Sequence, residues 1–150
     1  MTDQLIAETT WIPEKQLVVT HLSGEAEQAD IATWEASLQE ALAQIPDDST
    51  FRILVNIYGF QAADLEAHKT FRTIGPLTLA AYGWKVGYVN LFEEEAKSLN
   101  YSSTRGIKCV AAAHCHQDAT KIERYQTNFG RPNEQFFTDP EQARRWLESL

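Results

Sequence analysis

The residues best suited to chemistry stand together in His114-Cys115-His116-Gln117-Asp118. Alternate side chains of an extended segment share a face, so His114 and His116 point the same way, as a His-x-His metal pair requires. Asp118, His21 or His68 could supply a third ligand. Cys115 between two histidines has the composition of a thiol nucleophile beside a base. The same alternation weighs against that pairing, because Cys115 faces away from both neighbours. A lone histidine pair also lacks the further spaced ligands that define a zinc signature. The plainer reading is a strand-to-helix loop in which Asp118 caps the helix and the histidines face a polar pocket or solvent. On it no catalytic residue, metal or cofactor is expected. A small enzyme or metal-binding protein built on His114, Cys115, His116 and Asp118 is the alternative.

A second group is aromatic. Tyr58, Phe60 and Phe92, with the Gly75-Pro76 pair, suggest an apolar cleft between the carboxyl edge of a sheet and the helix that follows its central strand. Aromatics at loop ends also serve as satellite core. His68 and Arg72 are one helical turn apart and could line that cleft, and Asn90 ends a strand and fixes the turn after it. Glu93-Glu94-Glu95 opens a short helix, where the helix dipole alone accounts for three acids. The expected ligand-binding residues are therefore Tyr58, Phe60, His68, Asn90, Phe92, His114 and His116.

These side chains need elements to position them, and the hydrophobic period switches repeatedly between strand and helix. Residues 9–12 and 17–22 read as strands of a hairpin about the turn 13–16, with Ser23-Gly24 ending the second. Ile31, Trp34, Leu38, Leu42 and Ile45 mark one helix face, with Asp30 as cap and Pro46 beyond the end. Residues 51–57 are nearly all apolar, as in a strand covered on both faces. A helix over 63–81 follows, interrupted at Gly75-Pro76. Residues 84–90 and 107–113 read as strands, 92–99 as a short helix, 100–106 as a polar loop and 118–129 as a helix. Residues 135–137 read as an edge strand before a closing helix capped by Thr138 or Asp139. The alternation predicts an α/β fold: a mostly parallel sheet of five or six strands, helices on both faces and an N-terminal β-hairpin. Its parallel centre is expected to be 51–57, 84–90 and 107–113, with the ligand site beyond the carboxyl ends of the strands.

A chain of 150 residues, 43% hydrophobic with four tryptophans, has the size and composition of one globular domain. Its net charge of −8 disfavours nucleic acid and anionic membranes, which recruit basic clusters. No apolar run approaches the roughly 18–20 residues of a membrane span, so no integral membrane protein is expected. The N-terminus is no signal peptide, and a cytoplasmic location follows. Cys109 reads as a core residue. If the chain from Cys109 to Cys115 is extended, about 20 Å separates them at ~3.3 Å per residue, too far for a disulfide.

The order of elements and the closing run Phe136-Phe137-Thr138-Asp139-Pro140-Glu141-Gln142-Ala143-Arg144-Arg145-Trp146-Leu147 resemble the SpoIIAA-like proteins. These are small bacterial relatives of the STAS domains of anti-sigma-factor antagonists, and the resemblance covers nearly the whole chain. The segment Tyr82-Gly83-Trp84-Lys85-Val86-Gly87-Tyr88-Val89-Asn90 is similar to the strand entry of CRAL-TRIO lipid-binding domains of the same superfamily. The resemblance implies a single STAS-like domain and a non-enzymatic binding or regulatory module for a small apolar ligand, a lipid or a protein partner. Signalling STAS domains carry a phosphorylatable serine after the central strand. This chain has Tyr58-Gly59-Phe60-Gln61-Ala62-Ala63-Asp64 there, so no serine switch is expected. Aromatics on short or terminal elements, namely Trp11, Phe92, Phe136 and Phe137, lead to the expectation of a homodimer.

Overall fold

Two apolar runs flank Pro13, and in the computed structural model, which describes residues 4–88, 91 and 99–150, they form the expected hairpin. β1 (Ile6–Ile12) pairs antiparallel with β2 (Leu17–Ala26), from Ile12↔Leu17 to Ile6↔Ser23. Pro13 opens a single 3-10 turn, and Gln16 takes the left-handed conformation, φ 49°, that reverses the chain. β2 does not end at Ser23-Gly24. It continues to Ala26 because its last residues pair with β4 (Phe60–Ala62) through Gly24↔Phe60 and Ala26↔Ala62.

β3 (Thr50–Asn56) lies parallel to β2, β5 (Lys108–Cys115) parallel to β3, and β6 (Glu134–Phe137) parallel to β5. The fold is α/β, with a six-stranded, mostly parallel sheet in the order β1-β2-β3-β5-β6 and β4 beside the end of β2.

The segment expected as a central strand at 84–90 forms none over its described part, residues 84–88, and β3 pairs directly with β5. Trp84 and Val86 are buried and Lys85 is exposed, which is the alternation of a strand. The backbone finds other partners. Trp84 N–H donates to Leu79 O at 2.9 Å, and the Gly87 N–H donates to the Glu134 carboxylate at 2.9 Å. Alternating burial arises wherever an extended chain crosses a core, with or without a ladder. The expected short helix at 92–99 falls outside the described residues apart from Leu99.

α1 (Gln28–Ala43) starts from a capping box. Glu27 is the cap, and Asp30 is the third helical residue, accepting the Glu27 N–H at 2.9 Å. α2 (Leu65–Ala80) is capped by Asp64, which accepts the Ala67 N–H at 2.8 Å. The expected break at Gly75-Pro76 does not occur, and α2 runs through Pro76. Proline forfeits one helical bond, but Ile74, Thr78 and Leu79 are buried on either side of it, and packing holds the helix. α3 (Ala119–Phe129) is capped by Asp118 as expected, and α4 (Pro140–Glu148) by Asp139. Among the described residues no helix is long and apolar enough to cross a membrane.

Strand alternation divides the core. Val18, Ile53 and Ala112 join Trp34, Leu38, Leu42, Ile74 and Leu79 under α1 and α2. Their neighbours Leu17, Leu54, Ala111 and Ala113 join Ala143 and Leu147 of α4 on the opposite face. The carboxyl ends of β3 and β5 rise between α2 and α3.

Candidate functional site

At those strand ends lies a pocket of about 130 Å³. Val55 and Ile57 line it from the end of β3, and His114 and His116 from the end of β5. From α2 come His68, Phe71, Arg72 and Gly75, at helical spacings of three and four that share a face, followed by Pro76. Lys121, Ile122 and Tyr125 of α3 face them, and Trp34, Tyr88 and Phe136 complete the wall. This is the position that open α/β sheets give their ligands.

The register of β6 on β5 builds the polar end of the pocket. Ala112 pairs with Glu134 and His114 with Phe136, so His114 has Phe136 opposite it and Glu134 on the diagonal of the same face. The His114 ring stacks on Phe136 at 4.8 Å between centroids, 17° from parallel, and Tyr88 meets its edge at 5.5 Å. Nε2 of His114 lies 2.8 Å from Oε2 of Glu134.

Glu134 has 0% exposure, and a buried carboxylate survives only with partners. It has three. Besides His114, Arg131 donates to its Oε1 from Nη2 at 2.7 Å and from Nε at 3.1 Å, and the Gly87 N–H donates at 2.9 Å. Burial pushes the Glu134 pKa up, but His114 and Arg131 outweigh it and hold the carboxyl below its ordinary value. It is therefore an anion that only accepts, and Nε2 of His114 carries the proton between them. Arg131 is fixed in turn: its guanidinium lies 4.9 Å over the Trp84 ring and donates to Lys85 O at 2.7 Å. Glycine is required at 87, where a Cβ would stand 2.8 Å from Phe129 O and 2.9 Å from Glu134 Oε1.

The aromatic wall is continuous. Tyr88 lies 5.7 Å from Tyr125, and Tyr125 lies 5.7 Å from Phe136. Desolvation, with Glu134 and Tyr125 nearby, pushes the Tyr88 phenol well above its ordinary pKa. Trp34 is anchored by its indole N–H, which donates to Thr20 Oγ1 at 2.7 Å.

His116 lines the same pocket as a neutral ring. Its Nδ1 accepts the Asp118 N–H at 3.0 Å, and burial, with Lys121 adding to it against Asp118, lowers its pKa. Cys115 has no exposed surface, although it borders the pocket between His114 and His116. Burial, with Asp139 nearby, pushes its thiol up to about 12, far from a nucleophile's range. Among the described residues no group of three His, Cys, Asp or Glu side chains is placed to hold a metal ion. Cys109 and Cys115 are both buried free thiols.

Of the residues expected from sequence, the structure brings His68, His114 and His116 together in one pocket. Tyr58 sits apart on an exposed turn, 47% exposed, and Phe60 is core, its ring 4.4 Å from that of Phe71 beneath the pocket wall. Asn90 and Phe92 lie outside the described residues. Sequence reasoning missed Glu134, Arg131, Tyr88 and Tyr125. One signal was available: a glutamate two residues before Phe136 shares the face of a buried aromatic, with an arginine three residues before it. No protein-family model, curated protein or solved structure matches the chain.

Proposed function

We propose that the protein is a non-enzymatic binding module of the STAS, SpoIIAA-like kind, taking a small apolar ligand at the carboxyl edge of its sheet. The pocket carries this reading. A cavity of about 150 Å³ lined by apolar side chains accommodates benzene, and the 130 Å³ here, walled by Trp34, Phe71, Tyr88, Tyr125 and Phe136, is of that size. One aromatic ring or a short acyl segment fits; a whole lipid does not. No serine or threonine lies between Tyr58 and Leu65, and Asp64 caps α2, which supports a module without a phosphoserine switch. The closed, high-pKa thiol of Cys115 and the use of Asp118 as a helix cap weigh against an enzyme or metal site on that cluster.

Native mass spectrometry of protein purified without added ligand tests the reading, followed by toluene titration with thermal-shift detection. A retained small molecule, or a toluene-dependent rise in Tm abolished by Gly75→Leu, is the expected result. Bare chain and no toluene response would refute it. The same spectra count subunits. A cytoplasmic homodimer belongs to the proposal, supported by exposed Tyr58, Leu65, Leu77 and Tyr101, and a species at the single-chain mass at all concentrations would remove it.

A further inference from the structure

The pocket is apolar over most of its wall and polar at one end, and the polar end has a defined hydrogen-bonding sense. Glu134 is ionised and fully buried, and it holds Nε2–H of His114 at 2.8 Å. A neutral imidazole donates from one nitrogen and accepts at the other. In the neutral form of His114, with Nε2–H held by Glu134, Nδ1 is the acceptor, and among the described residues no hydrogen bond engages it. The ring cannot turn over to offer a donor instead without setting a lone pair against the Glu134 carboxylate. Arg131 and the Gly87 N–H fix that carboxylate from its other side. His116 has the complementary sense. Its Nδ1 is occupied by the Asp118 N–H, so its Nε2 carries the proton and is a donor.

We propose that the pocket recognises a phenol-class ligand, one ring bearing one hydroxyl, whose O–H donates to Nδ1 of His114. This rests on the binding reading above and specifies its chemistry. The wall supplies edge and face contacts for a single ring, and the volume limits the ligand to about that size. A hydroxyl both donates and accepts, so it satisfies His114 and leaves lone pairs toward the donor side of the pocket. An ether or carbonyl of the same shape would set its lone pairs against that of Nδ1. Glu134 acts on the ligand through His114 and is a positioning residue, as carboxylates are that fix the tautomer of a ligating histidine.

The test is binding of phenol, anisole and toluene to the intact chain, read by calorimetry and by long-range ¹⁵N–¹H spectra of the histidine rings. Phenol is expected to bind about three- to tenfold more tightly than toluene or anisole, the worth of one net hydrogen bond. The unprotonated ¹⁵N resonance of His114 is expected at Nδ1, and to move on addition of phenol and not of toluene. His114→Phe, which preserves stacking on Phe136, is expected to abolish the preference while retaining toluene binding. Equal affinities for the three probes, or a proton on Nδ1 of His114 in the free protein, would overturn the hydroxyl assignment and leave the pocket reading intact. Failure of all three to bind would overturn both. The ¹⁵N spectrum of the parent chain reports the tautomer even where the variant fails to fold.

Discussion

The two faces of β5 use one strand in opposite ways. Toward α4 it presents Ala111 and Ala113, small side chains that let the helix settle against the sheet, and the contact is closed by Leu17, Leu54, Ala143 and Leu147. Toward α2 and α3 it presents Cys109, Ala112 and then His114, which meets a buried carboxylate, the rings of Tyr88 and Phe136 and an open pocket. The first face packs apolar side chains, with the Arg52 guanidinium donating to Leu147 O at its end. The second holds an anion with 0% exposure. A buried charge seldom adds to stability over a well-packed apolar group of similar volume. The network around Glu134 is thus better explained by what it does to His114 than by what it adds to the fold. The lesson lies in adjacent residues: Cys115 and His114 differ by one position, and Cys115 is a fully buried thiol at the pocket's border while the His114 ring bonds the Glu134 carboxylate.

The contrast is tested most severely at Glu134. Glu134→Ala leaves Arg131, His114 and the Gly87 N–H without their shared acceptor, and removing one partner of a buried pair typically costs about 3–5 kcal/mol. Leu147→Ala on the opposite face removes packing alone. Truncating a buried leucine costs about 2–5 kcal/mol, according to how far the site collapses. Denaturant melts compare the two. The comparison sharpens in binding: Leu147→Ala should leave toluene affinity unchanged, because Leu147 does not line the pocket. A Glu134→Ala variant as stable as the parent would show that the pocket face is not held by the ion cluster.

Acid should distinguish the faces in the same order. The Glu134 pKa is depressed in the folded state, so the unfolded chain takes up that proton first as pH falls below the ordinary 4.5. The stabilisation from this group is full above that value and is lost as pH drops through the folded pKa. His116 is likewise depressed, so the unfolded ring protonates near 6.5 while the folded ring is still neutral. Stability should therefore decline in a first step as pH falls from about 6.5 through the folded pKa of His116, and in a second below about 4.5. His116→Asn should remove the first step and leave the second. A flat stability profile between pH 7 and 5 would mean that His116 is open to water.

Much of this architecture could be read from residue order, for a physical reason. Strands and helices declare themselves by local period, and the apolar stripe from Ile31 to Ile45 and the run from Phe51 to Ile57 each carry their own periodicity within one element. The segment from Trp84 to Tyr88 shows where this fails. Period two reports which side chains are buried, not whether the backbone has a neighbouring strand. The site failed differently. His114 and His116 could be found because they are two apart on one strand, whereas Glu134 lies 20 residues from His114 and gains meaning only from the register of β6 on β5. Tyr58 and Phe60 were expected in the pocket because they end a strand, but the turn at Gly59, φ +88°, carries Phe60 into the pairing of β4 with β2 and beneath Phe71.

The smallest expected effect concerns the gap left by Gly75. Glycine inside a helix costs about 0.5–1 kcal/mol relative to alanine, because it fixes more backbone freedom on folding. Gly75 has no positive φ that would require it, and among the described residues a Cβ there would meet only Tyr88 Oη at 3.9 Å, an ordinary contact. Packing against the described residues therefore does not explain the glycine, while its place on the pocket wall does. Gly75→Ala should raise stability by about 0.5–1 kcal/mol in denaturant melts, and should weaken toluene or phenol binding only slightly, since one methyl takes little of the volume. Gly75→Leu should gain helix propensity similarly while filling the pocket, losing most of the affinity without loss of fold. If instead Gly75→Leu destabilised the chain and Gly75→Ala did so in proportion, the space beside α2 would be occupied in the folded protein, and the contrast between a packed face and an open one would fail at its most accessible point.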